Sequence, residues 1–161
     1  MSLKTTDLCD EHSERLSVAS PLFRDFGGRR EFHGEVSTVK LFEDNSMVRE
    51  ALAEPGAGKV LVVDGGGSKR CALLGDKLAE MARDNGWSGI IVYGCIRDSA
   101  DLAGMDIGVK ALNTHPLKSE KKGVGERDAS VTFAGITIRA GQYLYADEDG
   151  LIVAPEPLHA V

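Results

Sequence analysis

Cysteine is scarce in this chain: there are three, Cys9, Cys71 and Cys95, an odd number with no CxxC pair. A disulfide framework is thereby excluded, and free thiols in a reducing, cytoplasmic setting are the expectation. No apolar run approaches the roughly 18 residues of a membrane span, and MSLKTTDLCDEHSERL lacks the apolar core of a secretory signal. Positive charge is outnumbered, 19 Lys and Arg against 25 Asp and Glu, for a net charge of -6. That balance argues against a general affinity for nucleic acid or an anionic membrane. The four histidines, His12, His33, His115 and His159, show no HxxxH-type spacing, so each reads as a surface or internally satisfied side chain rather than a zinc ligand. Repeats, low-complexity segments and Pro/Ser linkers are missing too. The length of 161 residues, 42% hydrophobic and 27% charged, predicts one globular domain over 1–161.

Glycine, by contrast, is plentiful at 19 residues and falls mostly between short apolar runs, the pattern of many short strands joined by tight turns. Strands are expected over 31–42, 59–64, 89–94, 106–113, 129–141, 142–147 and 150–154. Two helices are expected. NSMVREALAE opens on a capping residue and places Met47, Val48, Ala51 and Leu52 on one face. GDKLAEMARDNG gathers Leu78, Met81 and Ala82 and ends at a glycine. The fold class is thus α/β, with a βαβ middle and a β-rich C-terminal third.

The middle carries the chemistry. KVLVVD and GIIVYG are apolar throughout, as strands covered on both faces are, and a helix beginning near Asp76 lies between them. In open α/β sheets ligands gather beyond the carboxyl ends of the strands. Two charged loops lie there, LLGDKL entering the helix and GCIRDSAD leaving the next strand. Twenty residues separate Asp76 from Arg97, enough for a helix, a turn and a strand to return the chain to the same end. Asp76, Arg97 and Asp98 can then be neighbours. Arg offers a planar fork for a carboxylate, and Asp is a hard oxygen ligand suited to Mg²⁺ or Mn²⁺. Backbone N–H groups at Gly75 to Leu78 could hold a further oxyanion. A small α-keto acid matches that equipment. The alternative is that Asp76 caps the helix while Arg97 pairs with Asp98 or Asp101 on the surface.

Other constellations are weaker. VVDGGGSKR follows a strand but has neither GxxxxGK[ST] nor GxGxxG spacing, so a glycine turn is the better reading than a phosphate or methyl-donor loop. Cys95 near a strand end reads as a small packed residue. LKSEKKGVGER reads as a solvated loop, although Lys118, Lys121 and Lys122 could touch an acidic partner.

Together, PLFRDFGGRREFHGEVSTVKLFEDN, GKVLVVDGGGSKRCALLGDKLAEMARDNGWSGIIVYGCIRD, DIGVKALNTHP and GVGERDASVTFAGITIRAGQYLYADEDGLIV resemble one family along nearly the whole chain. It contains the regulator of ribonuclease E activity A and the class II 4-hydroxy-4-methyl-2-oxoglutarate aldolases. The resemblance implies a layered β/β/α swivelling-type domain assembled as a homotrimer with clefts between subunits. The aldolases of the family carry an Asp, twenty intervening residues and then Arg-Asp, which Asp76, Arg97 and Asp98 match. By that resemblance Asp98 ligates the divalent metal, Mg²⁺ or Mn²⁺, mostly through waters. Arg97 holds the substrate carboxylate and the developing enolate, and Asp76 orients a metal-bound water. The backbone at Gly75, Asp76, Lys77 and Leu78 lines the pyruvate portion.

The implied reaction is carbon–carbon cleavage of 4-hydroxy-4-methyl-2-oxoglutarate to two pyruvates, with oxaloacetate decarboxylated through the same pyruvate enolate. No Schiff-base lysine is required, although Lys77 is adjacent. Longer aldolases add a C-terminal segment with a further acid from a neighbouring subunit, whereas this sequence stops at PEPLHAV, which leaves the proton-transfer group open. The competing expectation, carried by FGGR and LFEDN, is a non-catalytic regulator that docks on ribonuclease E or a helicase.

Overall fold

The computed structural model describes residues 2–160. The chain opens with α1 (Thr5–His12), a single 3-10 turn and two short strands, β1 (Ser17–Val18) and β2 (Arg24–Asp25). There follow β3 (Phe32–Lys40), α2 (Ser46–Leu52), β4 (Val60–Asp64), β5 (Ala72–Leu74), α3 (Asp76–Asp84), β6 (Gly89–Ile96), α4 (Ser99–Leu102) and β7 (Gly108–Thr114). The remainder is all strand: β8 (Glu126–Arg127), β9 (Val131–Phe133), β10 (Ile136–Ile138), β11 (Tyr143–Asp147) and β12 (Gly150–Ala154). No helix among the described residues is long and apolar enough to cross a membrane.

Ten strands form one mixed sheet in the order β1-β12-β11-β3-β4-β6-β7-β2, with β5 added on β6 and β8 on β3. Its centre, β3, β4, β6 and β7, is parallel, and its margins are antiparallel. The centre is buried on both faces, which is why KVLVVD and GIIVYG show no polar alternation. Along β4, Leu61 and Val63 face α2 and α3 together with Val48, Leu52, Leu78 and Ala82. Val60 and Val62 face the opposite side, where Phe32, Ile91 and the β9–β10 hairpin residues Val131, Phe133 and Ile138 pack. Helices on one face and a second β layer on the other give the expected β/β/α layering. A side chain at Gly89 or Gly108 would collide with the Phe32 ring, its Cβ falling against ring carbons. The first residues of β6 and β7 are therefore notches that seat this ring.

Several local expectations change. The region 129–141 is two strands rather than one, because Ala134 (φ 52°) and Gly135 (φ 76°) reverse the chain between β9 and β10. The capping role assigned to the start of α2 belongs to Asp44 rather than Asn45. Asp44 Oδ1 accepts the Ser46 N–H at 2.9 Å and the Ser46 hydroxyl at 2.6 Å, while Oδ2 accepts the Lys122 and Val124 N–H groups at 2.9 and 3.0 Å. Burial pushes this carboxyl up, but those hydrogen bonds outweigh it and hold the group far below the usual carboxylate range. Part of the lysine-rich loop is thus tied down rather than freely solvated.

A second buried polar group joins distant segments. Lys110 in β7, 3% exposed, reaches Asp25 of β2 at 2.9 Å and donates to the Asp147 carbonyl at 2.8 Å. The Asp147 carboxylate accepts the N–H and hydroxyl of Thr5 at 2.8 and 2.7 Å. That contact fixes the start of α1, whose Leu8 packs with Tyr145, Ile152 and Leu158.

Candidate active site

The carboxyl ends of the parallel strands gather the loops that the sequence marked. Strand β5 pairs with β6 in parallel, Leu74 opposite Ile96, and the Arg97 N–H donates to the Leu74 carbonyl at 2.9 Å. This pairing sets Gly75, the residue that opens α3, directly beside Arg97. Beyond Arg97 the chain turns sharply. Asp98 adopts the left-handed conformation (φ 59°, ψ 38°), which a short polar side chain tolerates better than a bulky one, and leads into α4. The turn carries the Asp98 carboxylate back over the start of α3, where Oδ2 accepts the Asp76 N–H at 3.0 Å. A carboxylate at that helix end also meets the positive end of the macrodipole.

Asp76, Arg97, Asp98 and Gly75 are therefore brought together. An ideal Cβ on Gly75 would fall 2.7 Å from Asp98 Oδ2 and 3.3 Å from Arg97 Cγ, so the two side chains occupy the space this glycine leaves. The helix-cap alternative holds in part: Asp76 is the first helical residue and not the N-cap, yet its Oδ1 accepts the first-turn N–H of Lys77 at 2.8 Å. The surface ion pair does not form, since Arg97 takes part in none of the ion pairs among the described residues. Arg97 as a residue is partly exposed. Of the four amides expected to face a ligand, those of Asp76 and Lys77 are engaged by carboxylates.

No group of three or more His, Cys, Asp and Glu side chains among the described residues is placed to hold a metal ion. A closed, all-protein metal cage is thereby ruled out for those residues. Asp98 and Asp76 fit a looser arrangement: each commits one oxygen to a backbone amide and offers the other. Hard divalent cations such as Mg²⁺ accept one or two carboxylates, with water and substrate oxygens completing the shell. Cys95 is 1% exposed and burial pushes its thiol up, which suits packing and not nucleophilic attack.

The glycine turn offers no cofactor cradle. The N–H groups of Gly65 and Gly67 both donate to the Tyr93 carbonyl at 3.1 Å, and that of Gly66 to Asp64 Oδ1 at 2.9 Å. A cleft of about 280 Å³ opens at the same edge of the sheet, lined by Phe42, Arg70, Leu117, Lys118 and Lys122. The Asp98 carboxylate itself stands on an open surface.

Sequence reasoning missed two features. One is the steric role of Gly75, which depends on β5–β6 register. The other is that His115 follows directly on β7, with its N–H on the Ile96 carbonyl at 2.9 Å, beside Arg97. The signal for the latter was a His-Pro dipeptide closing an apolar strand.

The chain is similar to known proteins along nearly its whole length. A family model described as RraA-like, Aldolase/RraA, matches residues 5–153. A protein of Alkalilimnicola ehrlichii, provisionally named a 4-hydroxy-4-methyl-2-oxoglutarate aldolase, is 70% identical over 98% of each chain. One of Halorhodospira halophila with the same provisional name is 64% identical over 98% of this chain and 99% of its own. Among solved structures, the RNA-processing inhibitor RraA from Thermus thermophilus superposes with a TM-score of 0.95 at 47% identity, covering 100% of this chain and 98% of that one. A Geobacillus kaustophilus protein described as an S-adenosylmethionine: 2-dimethylmenaquinone methyltransferase gives 0.95 at 51% identity, with 96% of both chains covered.

Proposed function

The chain belongs to the RraA-like family, and on that premise we propose that it is a divalent-metal-dependent lyase acting on small α-keto acids. The reaction is cleavage of 4-hydroxy-4-methyl-2-oxoglutarate to two pyruvates, with decarboxylation of oxaloacetate through the same enolate. The observation that carries the reading is the Asp98 carboxylate folded over the start of α3 beside an Arg97 that has no carboxylate partner. A guanidinium in no ion pair is a ready fork for a substrate carboxylate.

Each residue then has a task. Arg97 binds the carboxylate next to the keto group and stabilises negative charge as it develops on the keto oxygen. Asp98 would hold Mg²⁺ or Mn²⁺, with Asp76 orienting a bound water, and the cation would supply Lewis acidity at the keto oxygen. The backbone at Gly75, Asp76, Lys77 and Leu78 shapes the wall against which the pyruvate portion rests. The exposure of Asp98 in a single protomer fits a site completed by a neighbouring subunit of a homotrimer. A cytoplasmic location accords with three free thiols. The methyltransferase description of the Geobacillus relative does not transfer, because the amides of Gly65 to Gly67 are occupied within the turn.

The test is pyruvate release from each substrate with and without Mg²⁺ or Mn²⁺, alongside light scattering for the trimer. Metal-stimulated release from either substrate is expected; none from both refutes the lyase. The likeness to the Thermus RNA-processing inhibitor favours a second reading, a regulator that binds ribonuclease E. Inhibition of ribonuclease E cleavage by a protein that releases no pyruvate would establish that reading instead.

A further inference from the structure

The polar side chains of LFEDN stand outside the candidate active site, yet all three are engaged around β5. Glu43 takes the Ser68 hydroxyl at 2.5 Å and the Arg70 guanidinium at 2.6 and 2.9 Å, which secures the turn that enters β5. Asp44 holds the start of α2 and the loop at Lys122 and Val124. Asn45, 8% exposed, reaches β5 itself: its Nδ2 donates to the Leu73 carbonyl at 3.1 Å. The Asn45 N–H donates to Ser119 Oγ at 3.1 Å, and from the same loop the Leu117 carbonyl accepts the Ala72 N–H at 2.7 Å.

Leu73 is where β5 needs a partner. From Ala72 to Leu74 the strand advances two residues while β6 advances one, from Cys95 to Ile96, so Leu73 is the extra residue of a bulge. A bulged residue falls out of the ladder, and a buried carbonyl left without a donor is costly. Leu73 is 2% exposed, and β6 is the only strand that β5 pairs with among the described residues. Asn45 supplies the missing donor. Its Oδ1 is buried without a partner, so the donor end of the amide is what this position uses. One residue past the bulge, Leu74 pairs with Ile96 and accepts the Arg97 N–H at 2.9 Å, and Gly75 comes next.

Resting on the lyase reading of the same site, we propose that Asn45 is a positioning residue for it. By bonding the Leu73 carbonyl it fixes the β5 bulge, and the bulge sets the register that lays Gly75 beside Arg97. Asn45 acts through β5 and not on the substrate. Without its amide, β5 is free to shift against β6, and Arg97 and Asp98 lose the backbone they pack on.

Three variants test this. Asn45→Ala removes the donor. Asn45→Asp keeps the shape but can donate only while its carboxyl is protonated, the form that burial beside a carbonyl favours as pH falls. Asn85→Asp is the control, since Asn85 Nδ2 makes the same kind of bond to the Leu52 carbonyl, at 2.8 Å, beyond the far end of α3. The first readout is hydrogen exchange of the Arg97 amide by NMR. It should quicken about 10-fold or more in Asn45→Ala while the amides of β4 keep their protection. The second is kcat/KM for pyruvate release, relative to wild type at each pH. Asn45→Ala should lose about 10-fold or more throughout, Asn45→Asp should approach wild type in mild acid and fall toward the alanine variant as pH rises, and Asn85→Asp should stay within about 2-fold. If Asn45→Ala does not fold, Asn45→Asp carries both readouts, compared between mild acid and neutral pH. Unchanged Arg97 exchange, quickened exchange with unchanged kcat/KM, or an Asn45→Asp ratio that ignores pH would overturn the proposal. The two readings fail separately. Quickened Arg97 exchange in a protein whose wild type releases no pyruvate sinks the lyase and upholds the register role of Asn45, and an active lyase indifferent to Asn45 sinks only this assignment.

Discussion

Substituting Gly75 with alanine is the most economical way to disturb the cluster of Arg97 and Asp98 without touching the core. The backbone at Gly75 (φ −137°, ψ −166°) is extended and open to any residue, so the change carries no conformational strain. Its whole effect is the added methyl, placed 2.7 Å from Asp98 Oδ2, 3.3 Å from Arg97 Cγ and 3.5 Å from Arg97 Nε. A carbon–oxygen contact at that distance is tighter than van der Waals packing by roughly half an ångström, and Asp98, exposed and on a turn, is the part free to give way. Its hydrogen bond to the Asp76 N–H, 3.0 Å here, is then lost, with water replacing it. Stability should fall by only about 1 kcal/mol or less, a shift of roughly 2–4 °C in Tm. A displacement approaching 1 Å at a reacting centre costs on the order of 100-fold, so kcat/KM should fall roughly 30- to 100-fold. The assay couples pyruvate release to lactate dehydrogenase, with Gly150→Ala as control because its Cβ would meet nothing within 4 Å. If Gly75→Ala keeps kcat/KM within about 2-fold of wild type, the space left by Gly75 does not organise the site.

Arg97→Lys keeps the charge and loses the fork, and should lower kcat/KM roughly 30- to 1,000-fold, the equivalent of about 2–4 kcal/mol of transition-state stabilisation; steady-state kinetics that match wild type would mean that Arg97 does not grip substrate. Asp98→Asn should stay folded, lose most activity and regain part of it at high Mg²⁺ or Mn²⁺, whereas Asp101→Asn, one turn further along, changes little; equal losses would remove Asp98 as the sole protein ligand. For Asp147, burial raises the pKa, but the hydrogen bonds from Thr5, Asp149 and Gly150 outweigh it and leave the group below its ordinary value. A depressed folded-state pKa contributes stability that is present above the unfolded-state value near 4 and lost as pH falls through the folded-state value. Asp147→Asn should accordingly lower Tm at neutral pH and flatten its decline in acid; parallel Tm curves for the two proteins would show that the Thr5 contacts do not contribute to acid sensitivity.

The parallel centre of the sheet was legible because its strands are buried on both faces, and unbroken apolar runs survive in the sequence as such. Helix α1 was not, since TTDLCDEH buries only Thr5 and Leu8 and has no side-chain cap, so no period emerges. Strand β5 escaped for a different reason: three residues after a glycine turn carry no alternation, and only pairing with β6 makes them a strand. The site divides in the same way. The spacing of Asp76 and Arg97 reflects a helix and a strand of ordinary length, and the sequence contains both. The left-handed turn at Asp98 and the close approach at Gly75 arise from β5–β6 register, which no linear spacing encodes.

The sheet order bears on how the protein is made. Strand β3 lies between β4, which follows it closely in sequence, and β11, which begins at Tyr143. Strand β1 has only β12 to pair with, and Lys110 awaits the Asp147 carbonyl. During synthesis the parallel centre can therefore assemble while one edge of β3 stays bare and a lysine destined for burial has only Asp25 of its two acceptors. The β1–β12 and β3–β11 pairings, more than a hundred residues apart, form slowly and expose a strand edge in the interval. The nascent chain is consequently most open to a chaperone, or to pairing with a second unfinished copy, just before β11 emerges.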